Sequence, residues 1–283
     1  MDLATDKTIS RLAAAFRQRF GTDPTLCVVS PGRTEIAGNH TDHEGGSVIA
    51  GAVDRYVQGV FAPNDEGVAR VYSEGYGITE VDLADLAPRE DEHSTTASLV
   101  RGTAALFVEQ GLEARGFDAY AYSEVLGGSG LSSSAAFELE LGQALNALWA
   151  NGRFASDELA LMAQRVEREW FGKPCGLMDQ ASVALGGIQH MDFEDPKKLV
   201  AELVDFDFGE AGYDVCIVAV GADHAANTDD YAAVPAEMQA VARELGADVL
   251  SKVSEQDVIA ALPRVREALG DRAVLRALHY YRE

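Results

Sequence analysis

The sequence predicts a mixed fold of helices and strands, long enough for two domains. Three observations carry this reading. Apolar residues recur at helical spacing in several windows, short apolar runs bounded by turn residues lie between those windows, and 283 residues exceed the needs of one ordinary core. The central stretch is 126–138, L-G-G-S-G-L-S-S-S-A-A-F-E, which joins a strand candidate to a helix candidate.

Residues 8–20 put Ile9, Leu12, Ala13, Phe16 and Phe20 on one helical face, and Gly21 stops the helix. The run 26–30, L-C-V-V-S, is a buried-strand candidate leading into a polar segment, 31–46. Strand and turn are expected over 48–60, and short strands joined by hairpins over 61–95. A helix over 98–110 and a strand over 119–124 come next, the strand feeding the glycine stretch, and a long helix follows over 134–149. Another helix is expected over 157–171 with Ser156 as its N-cap. Sheet segments are expected over 188–193, 199–208 and 215–220, the last a buried strand, with helices near 235–245 and 255–269. There is no internal repeat, and composition alone puts a boundary near 195, giving domains 1–195 and 196–283.

The composition is 47% hydrophobic and the formal charge is −23. That balance excludes a phosphate-backbone partner such as DNA and suits a soluble surface. Cys27, Cys175 and Cys216 are scattered and odd in number, which favours a reducing compartment over a disulfide framework or a zinc site. The polar start M-D-L-A-T-D-K lacks a signal-peptide pattern, and no apolar run approaches membrane-spanning length. The expectation is a cytoplasmic protein with neither a membrane nor a nucleic acid as partner.

Gly127, Gly128 and Gly130 are followed by Ser132, Ser133 and Ser134, just ahead of the apolar helix. Glycines let a backbone turn tightly and approach a ligand, and a helix N-terminus offers unpaired N–H groups to an anion. Serine hydroxyls can donate to phosphate or hold a metal ion. The stretch reads as a triphosphate cradle, or as a plain glycine turn with a serine cap. It is not a P-loop, having no Lys before its serines, nor a dinucleotide fingerprint, whose third glycine is replaced by Ser133. Arg33, Asn39, His40 and Asp42 fall together after a strand end, a knot of donors and acceptors suited to sugar hydroxyls or to a solvated loop. Asp179 follows a glycine in apolar company, either as a buried hydrogen-bonder or as the carboxylate a kinase needs to take a proton. Glu167, on a helix candidate, is by itself an ordinary surface residue.

Three stretches taken together resemble galactokinases, within the wider class that includes homoserine, mevalonate and phosphomevalonate kinases. G-R-T-E-I-A-G-N-H-T-D-H (32–43) resembles the galactokinase signature, G-S-G-L-S-S-S-A (128–135) resembles the ATP loop of the class, and E-R-E-W-F-G-K-P-C-G-L-M-D-Q (167–180) resembles the segment that ends in C-G-I-M-D-Q. The resemblance implies an α+β fold of two domains with the active site between them. It implies Asp179 as catalytic base and Arg33 as the arginine that orients it. Gly127, Gly128, Ser129, Gly130, Leu131, Ser132, Ser133 and Ser134 match the ATP phosphate loop, and Ser134 and Glu167 match magnesium ligands. His40, Asp42 and Tyr231, with Asn39 beside them, match the sugar-binding positions; Tyr231 lies seven residues after His224. ATP and Mg²⁺ are the implied cofactors.

Departures from the pattern matter at the sugar end. Asn39 stands for the family's glutamate, Glu35 for its asparagine and His43 for its tyrosine, while Leu126 replaces a proline before the ATP loop. The chain stops at R-A-L-H-Y-Y-R-E (276–283), which resembles a helix partway through the family's second domain, and the family's third, glycine-rich motif is absent. The expectation is a fragment or a shortened protein with its second domain truncated. The function implied is an ATP-dependent sugar 1-kinase acting on galactose. Its alternatives are a kinase for galacturonate or N-acetylgalactosamine, motivated by Asn39, and a non-catalytic sugar- and ATP-binding regulator.

Overall fold

The computed structural model describes residues 7–39, 41–195, 198–218 and 228–283. The chain is α+β and divides into two compact units. The first comprises described residues up to Arg33, with Val53–Cys175 and Asp179–Leu185; the second comprises Thr34–Ala52, Gly176–Met178 and Gly186–Glu283. The expected boundary after residue 195 falls inside the second unit.

In the first unit the strand order is β4(Gly77–Asp82), β3(Val68–Ser73), β5(Phe117–Ser123), then β2(Ser47–Pro63), with β1(Leu26–Ala37) also paired to β2. Most neighbours are antiparallel, but β5 lies parallel to β3, with Ala69 opposite Phe117. A parallel pair needs a crossover, and here it runs through β4 and helix α2(Thr96–Glu109). Helices α2, α3(Ser133–Ala150) and α4(Ser156–Glu169) pack on one another and cover one sheet face. Neighbouring residues of β2 face opposite ways: Phe61 joins Phe107, Phe117, Leu139 and Leu145 beneath those helices, whereas Val60 and Ala62 meet Ile9, Leu12 and Phe16 of α1(Lys7–Phe20). A sheet buried on both faces calls for a nearly continuous apolar strand, and V-F-A at 60–62 supplies it.

The second unit contains the first part of β2, paired with β6(Ile188–Asp192), and β7(Val200–Leu203) beyond it. Its core lies between α6(Thr228–Glu244) and α7(Glu255–Tyr280), where Met238, Val241, Val258, Val265 and Ala277 are buried. Gly270, at φ +84°, interrupts α7. Helix α5(Met178–Leu185) begins in this unit and continues in the first. Among the described residues no helix is long and apolar enough to cross a membrane.

Four local expectations change. No turn breaks β2, which runs unbroken through Asp54 and Arg55. Helix α4 is capped at Ala155, whose N–H is bonded by Glu158 at 2.9 Å, so Ser156 is its first residue instead of its cap. The strand expected over 199–208 is only Val200–Leu203. In the segment expected as a buried strand over 215–220, residues 215–218 form no strand and Val215, Ile217 and Val218 are exposed; 219 and 220 lie outside the described residues.

Candidate active site

The glycine stretch links β5 to α3. Gly128 and Gly130 hold φ of +73° and +79°, a region that side chains with a Cβ avoid. Ser132, at the N-cap of α3, has φ +57°, a conformation that costs a non-glycine residue on the order of 1–3 kcal/mol unless its surroundings impose it. Its hydroxyl shows what imposes it. Instead of capping α3, it donates to Asp179 Oδ2 in a short hydrogen bond. The first N–H groups of α3 are therefore left without a side-chain cap, the arrangement that an anion can exploit.

Arg33, on β1, ties the same carboxylate to the loop. Its Nε and Nη2 lie 2.8 and 2.7 Å from Asp179 Oδ1, and its Nη1 donates to the Gly130 carbonyl at 2.7 Å. Its backbone N–H donates to the Leu131 carbonyl at 3.1 Å. Both side chains of the pair are nearly buried, with 14% and 18% exposure. Burial works against the Asp179 charge, but Arg33, the Ser132 hydroxyl and Lys173 outweigh it and hold the carboxyl below the usual range. Asp179 is thus an ionised carboxylate in the first turn of α5, where the helix dipole also favours it.

Behind this pair lies a second acidic group. Glu167, on α4, has no exposed surface; its Oε1 accepts from Ser134 Oγ at 2.8 Å and from Lys173 Nζ at 2.9 Å. Its Oε2 accepts from Gln180 Nε2 at 2.5 Å, and the same amide donates to Glu138 Oε2 at 3.2 Å. Burial, and then the nearby Glu167 charge, push the Glu138 carboxyl well above its ordinary value. Burial also works against the Lys173 ammonium, but Glu167 and Asp179 reverse that and raise its pKa. Ser134 and Glu167 supply two hard oxygen donors side by side, a set that fits Mg²⁺, which usually takes one or two protein oxygens and completes its shell with phosphate and water. Among the described residues no three His, Cys, Asp or Glu side chains gather into a metal site, so the remaining ligands would come from substrate and solvent.

The positions expected to meet the sugar belong to the second unit. Asp42 Oδ2 accepts the Met178 N–H at 3.3 Å, at the start of α5. A Cβ at 176 would sit 1.6 Å from that oxygen, so any other residue there would have to displace the Asp42 carboxylate. The peptide of Asn39 is held at both ends: its carbonyl meets His279 Nε2 at 2.8 Å and its N–H donates to Glu283 Oε2 at 3.4 Å. Helix α6, which carries the half-exposed Tyr231, packs on the Asp42–Glu44 turn. His40 lies outside the described residues, as does His224.

The structure thus brings Arg33, Asp179, Gly130, Leu131 and Ser132 together, and Ser134 with Glu167. Sequence reasoning missed Lys173, Gln180 and Glu138. All three stand within or beside the quoted motifs, and a polar residue in an apolar helical setting, such as Glu138 or Gln180, was the available signal.

A glycine loop opening a buried helix, with a guanidinium-held carboxylate against it, marks a class of small-molecule kinases. The family described as GHMP kinases N terminal domain matches residues 98–187, and the galactokinase galactose-binding signature matches residues 14–63. The galactokinase of Streptomyces coelicolor is 34% identical over 265 residues, covering 93% of this chain and 67% of that protein. That of Chloroflexus aurantiacus is 38% identical over 183 residues, covering 64% of this chain and 46% of its own, so the chain spans about half of that relative. Among solved structures, Lactococcus lactis galactokinase, complexed with galactose, matches with a TM-score of 0.79 at 23% identity, over 97% of this chain and 71% of that one. Methanococcus jannaschii mevalonate kinase shares the fold at a TM-score of 0.53 and 17% identity, over 65% of this chain and 57% of its own. The chain belongs to the galactokinase family. Its galactokinase relatives are phosphotransferases that act on a sugar hydroxyl, with ATP as co-substrate.

Proposed function

We propose that this protein is a galactokinase, converting galactose and ATP to galactose 1-phosphate and ADP by direct in-line transfer. The observation that carries the reading is the cluster in which Arg33 and Ser132 both donate to Asp179 while Arg33 also donates to the Gly130 carbonyl of the glycine loop. Asp179, already ionised, takes the proton of the anomeric hydroxyl as that oxygen attacks the γ-phosphorus and the bond to ADP breaks. Once Asp179 is neutral, Arg33 loses its countercharge, and its guanidinium becomes free to stabilise charge on the transferred phosphoryl group. The loop from Gly127 to Ser134 holds the nucleotide phosphates, Gly128 and Gly130 giving the backbone its reach. Magnesium, held by Ser134, Glu167 and the phosphates, would supply charge neutralisation at the nucleotide.

Asn39, His40, Asp42 and Tyr231 are the proposed sugar contacts. Asn39 is the reason to include galactose derivatives in the test, since an amide both donates and accepts where the family's glutamate only accepts. A cytoplasmic location is supported by Cys27, Cys175 and Cys216 not being joined in a disulfide. The test is a panel of free sugars, including galacturonate and N-acetylgalactosamine, incubated with Mg·ATP and followed by NMR. Galactose 1-phosphate as the main product is the expected result. A preferred derivative would replace galactose, and ADP formation independent of every sugar would refute the reading.

A further inference from the structure

Lys173 helps to hold the Asp179 carboxyl below its usual range, and its ammonium also sits on the oxygen assigned to the metal. Glu167 Oε1 is shared by Ser134 Oγ at 2.8 Å and Lys173 Nζ at 2.9 Å. Ser134, Lys173 and Gln180 donate to Glu167, and of these only lysine brings a charge. Glu167 has no exposed surface, whereas the Lys173 side chain keeps 39% of its own, so the cation is the solvent-facing partner of a buried anion. A divalent ion reaching Oε1 must displace that ammonium or stand beside it. Like charges a few ångströms apart, near a buried carboxylate, repel strongly even with solvent screening.

We propose that Lys173 is a resident counter-ion of the metal site, a positioning residue that acts through Glu167. It keeps the carboxylate beside Ser134 when no metal is bound and weakens the binding of a divalent cation on its own. The metal then enters together with the nucleotide, whose phosphates outweigh the repulsion. The inference rests on the reading of Glu167 as a metal ligand.

The experiment uses Mn²⁺ alone, without nucleotide or sugar, followed by the loss of the free-ion electron paramagnetic resonance signal in the whole protein. Lys173→Met and, as a second neutral variant, Lys173→Gln should bind Mn²⁺ at least about tenfold more tightly than the native protein, and Lys173→Arg should remain weak. Affinity in both neutral variants that is no tighter than native overturns the role of Lys173. Glu167→Gln in the Lys173→Met background separates the two readings. Loss of the gained affinity supports both, and tight binding that survives it refutes Glu167 as the ligand and this proposal with it. Tighter Mn²⁺ binding in Lys173→Arg as well would overturn the charge argument, because that variant keeps the cation.

Discussion

Asp179→Asn should do two things that are separable in the test tube. The substitution keeps the shape and an acceptor for Ser132 but removes the negative charge that Arg33 faces at 2.7 Å. Losing a general base costs about 10²–10⁴ in rate, so kcat should fall by at least about a hundredfold. Stability should fall as well. Breaking a buried pair leaves a stranded charge at about 3–5 kcal/mol, and the slight exposure of this pair, 14% and 18%, lowers that to roughly 2–4 kcal/mol. For a chain of this size that is a Tm shift of roughly 5–10 °C. Adding Arg33→Met should recover part of the loss, because the double variant no longer buries a lone cation. Thermal melting by circular dichroism and ADP release with galactose give the two readouts. A variant that keeps a tenth or more of native kcat would refute the base, and an unchanged Tm would refute the ion-pair argument.

Further tests follow from other parts of the molecule. Gly130→Val should abolish ATP binding, since a β-branched side chain resists φ of +79° and fills space next to the loop; unchanged affinity by calorimetry in a folded variant would remove the loop from the site. Asn39→Glu should change the order of preference among sugars by roughly five- to a hundredfold in relative kcat/KM, the effect of mispairing one buried polar group, and an identical ranking would take Asn39 away from the substrate. Glu140, wholly buried beside Gly59, has both oxygens unpaired, and burial pushes its carboxyl well above its ordinary value. A raised folded pKa means stability that is present in acid and lost as pH rises. Glu140→Leu should therefore change urea stability little at about pH 5 and raise it by about 1–3 kcal/mol at about pH 8. An equal effect at both values would show that Glu140 does not titrate in the folded protein.

What the sequence revealed was whatever depends on neighbours along the chain. Helix α1 was legible because Ile9, Leu12 and Phe16 repeat at its own period, and the glycine loop because its residues are consecutive. The reason Ser132 adopts φ +57° was not legible, since its partner Asp179 lies 47 residues away. Lys173 and Glu167 are only six apart, but nothing in an exposed-looking E-R-E-W-F-G-K marks one of its glutamates as wholly buried. The run at 215–218 shows the opposite limit. An apolar run is suited to a strand, but a strand exists only with a partner to pair with, and pairing is set by the rest of the fold. The turn expected within 48–60 is absent, and the exposed Asp54 and Arg55 lie on β2 itself: polarity marks exposure, and an exposed pair can lie on a strand as readily as in a turn.

The charges around Asp179 answer a difficulty set by the composition. A chain of formal charge −23 repels a nucleotide polyanion at long range, so a site for ATP has to compensate locally. The first unit does so in two ways. Arg33 and Lys173 set two cations against the carboxylates of Asp179 and Glu167, which brings the cluster to neutrality. Glu138, the third acid, has its carboxyl pushed well above the ordinary value by burial and by Glu167, a bias toward the uncharged form beside the loop. Had Glu138 been ionised, the cluster would carry a net negative charge and hold a bare divalent cation well but the nucleotide poorly. The bias of Glu138 toward its uncharged form weakens the field that a free metal or a free nucleotide meets, which favours the metal–nucleotide pair. Weak binding of a bare divalent cation, which the Lys173 experiment measures, is thus expected from the charge of the whole cluster as well as from one contact.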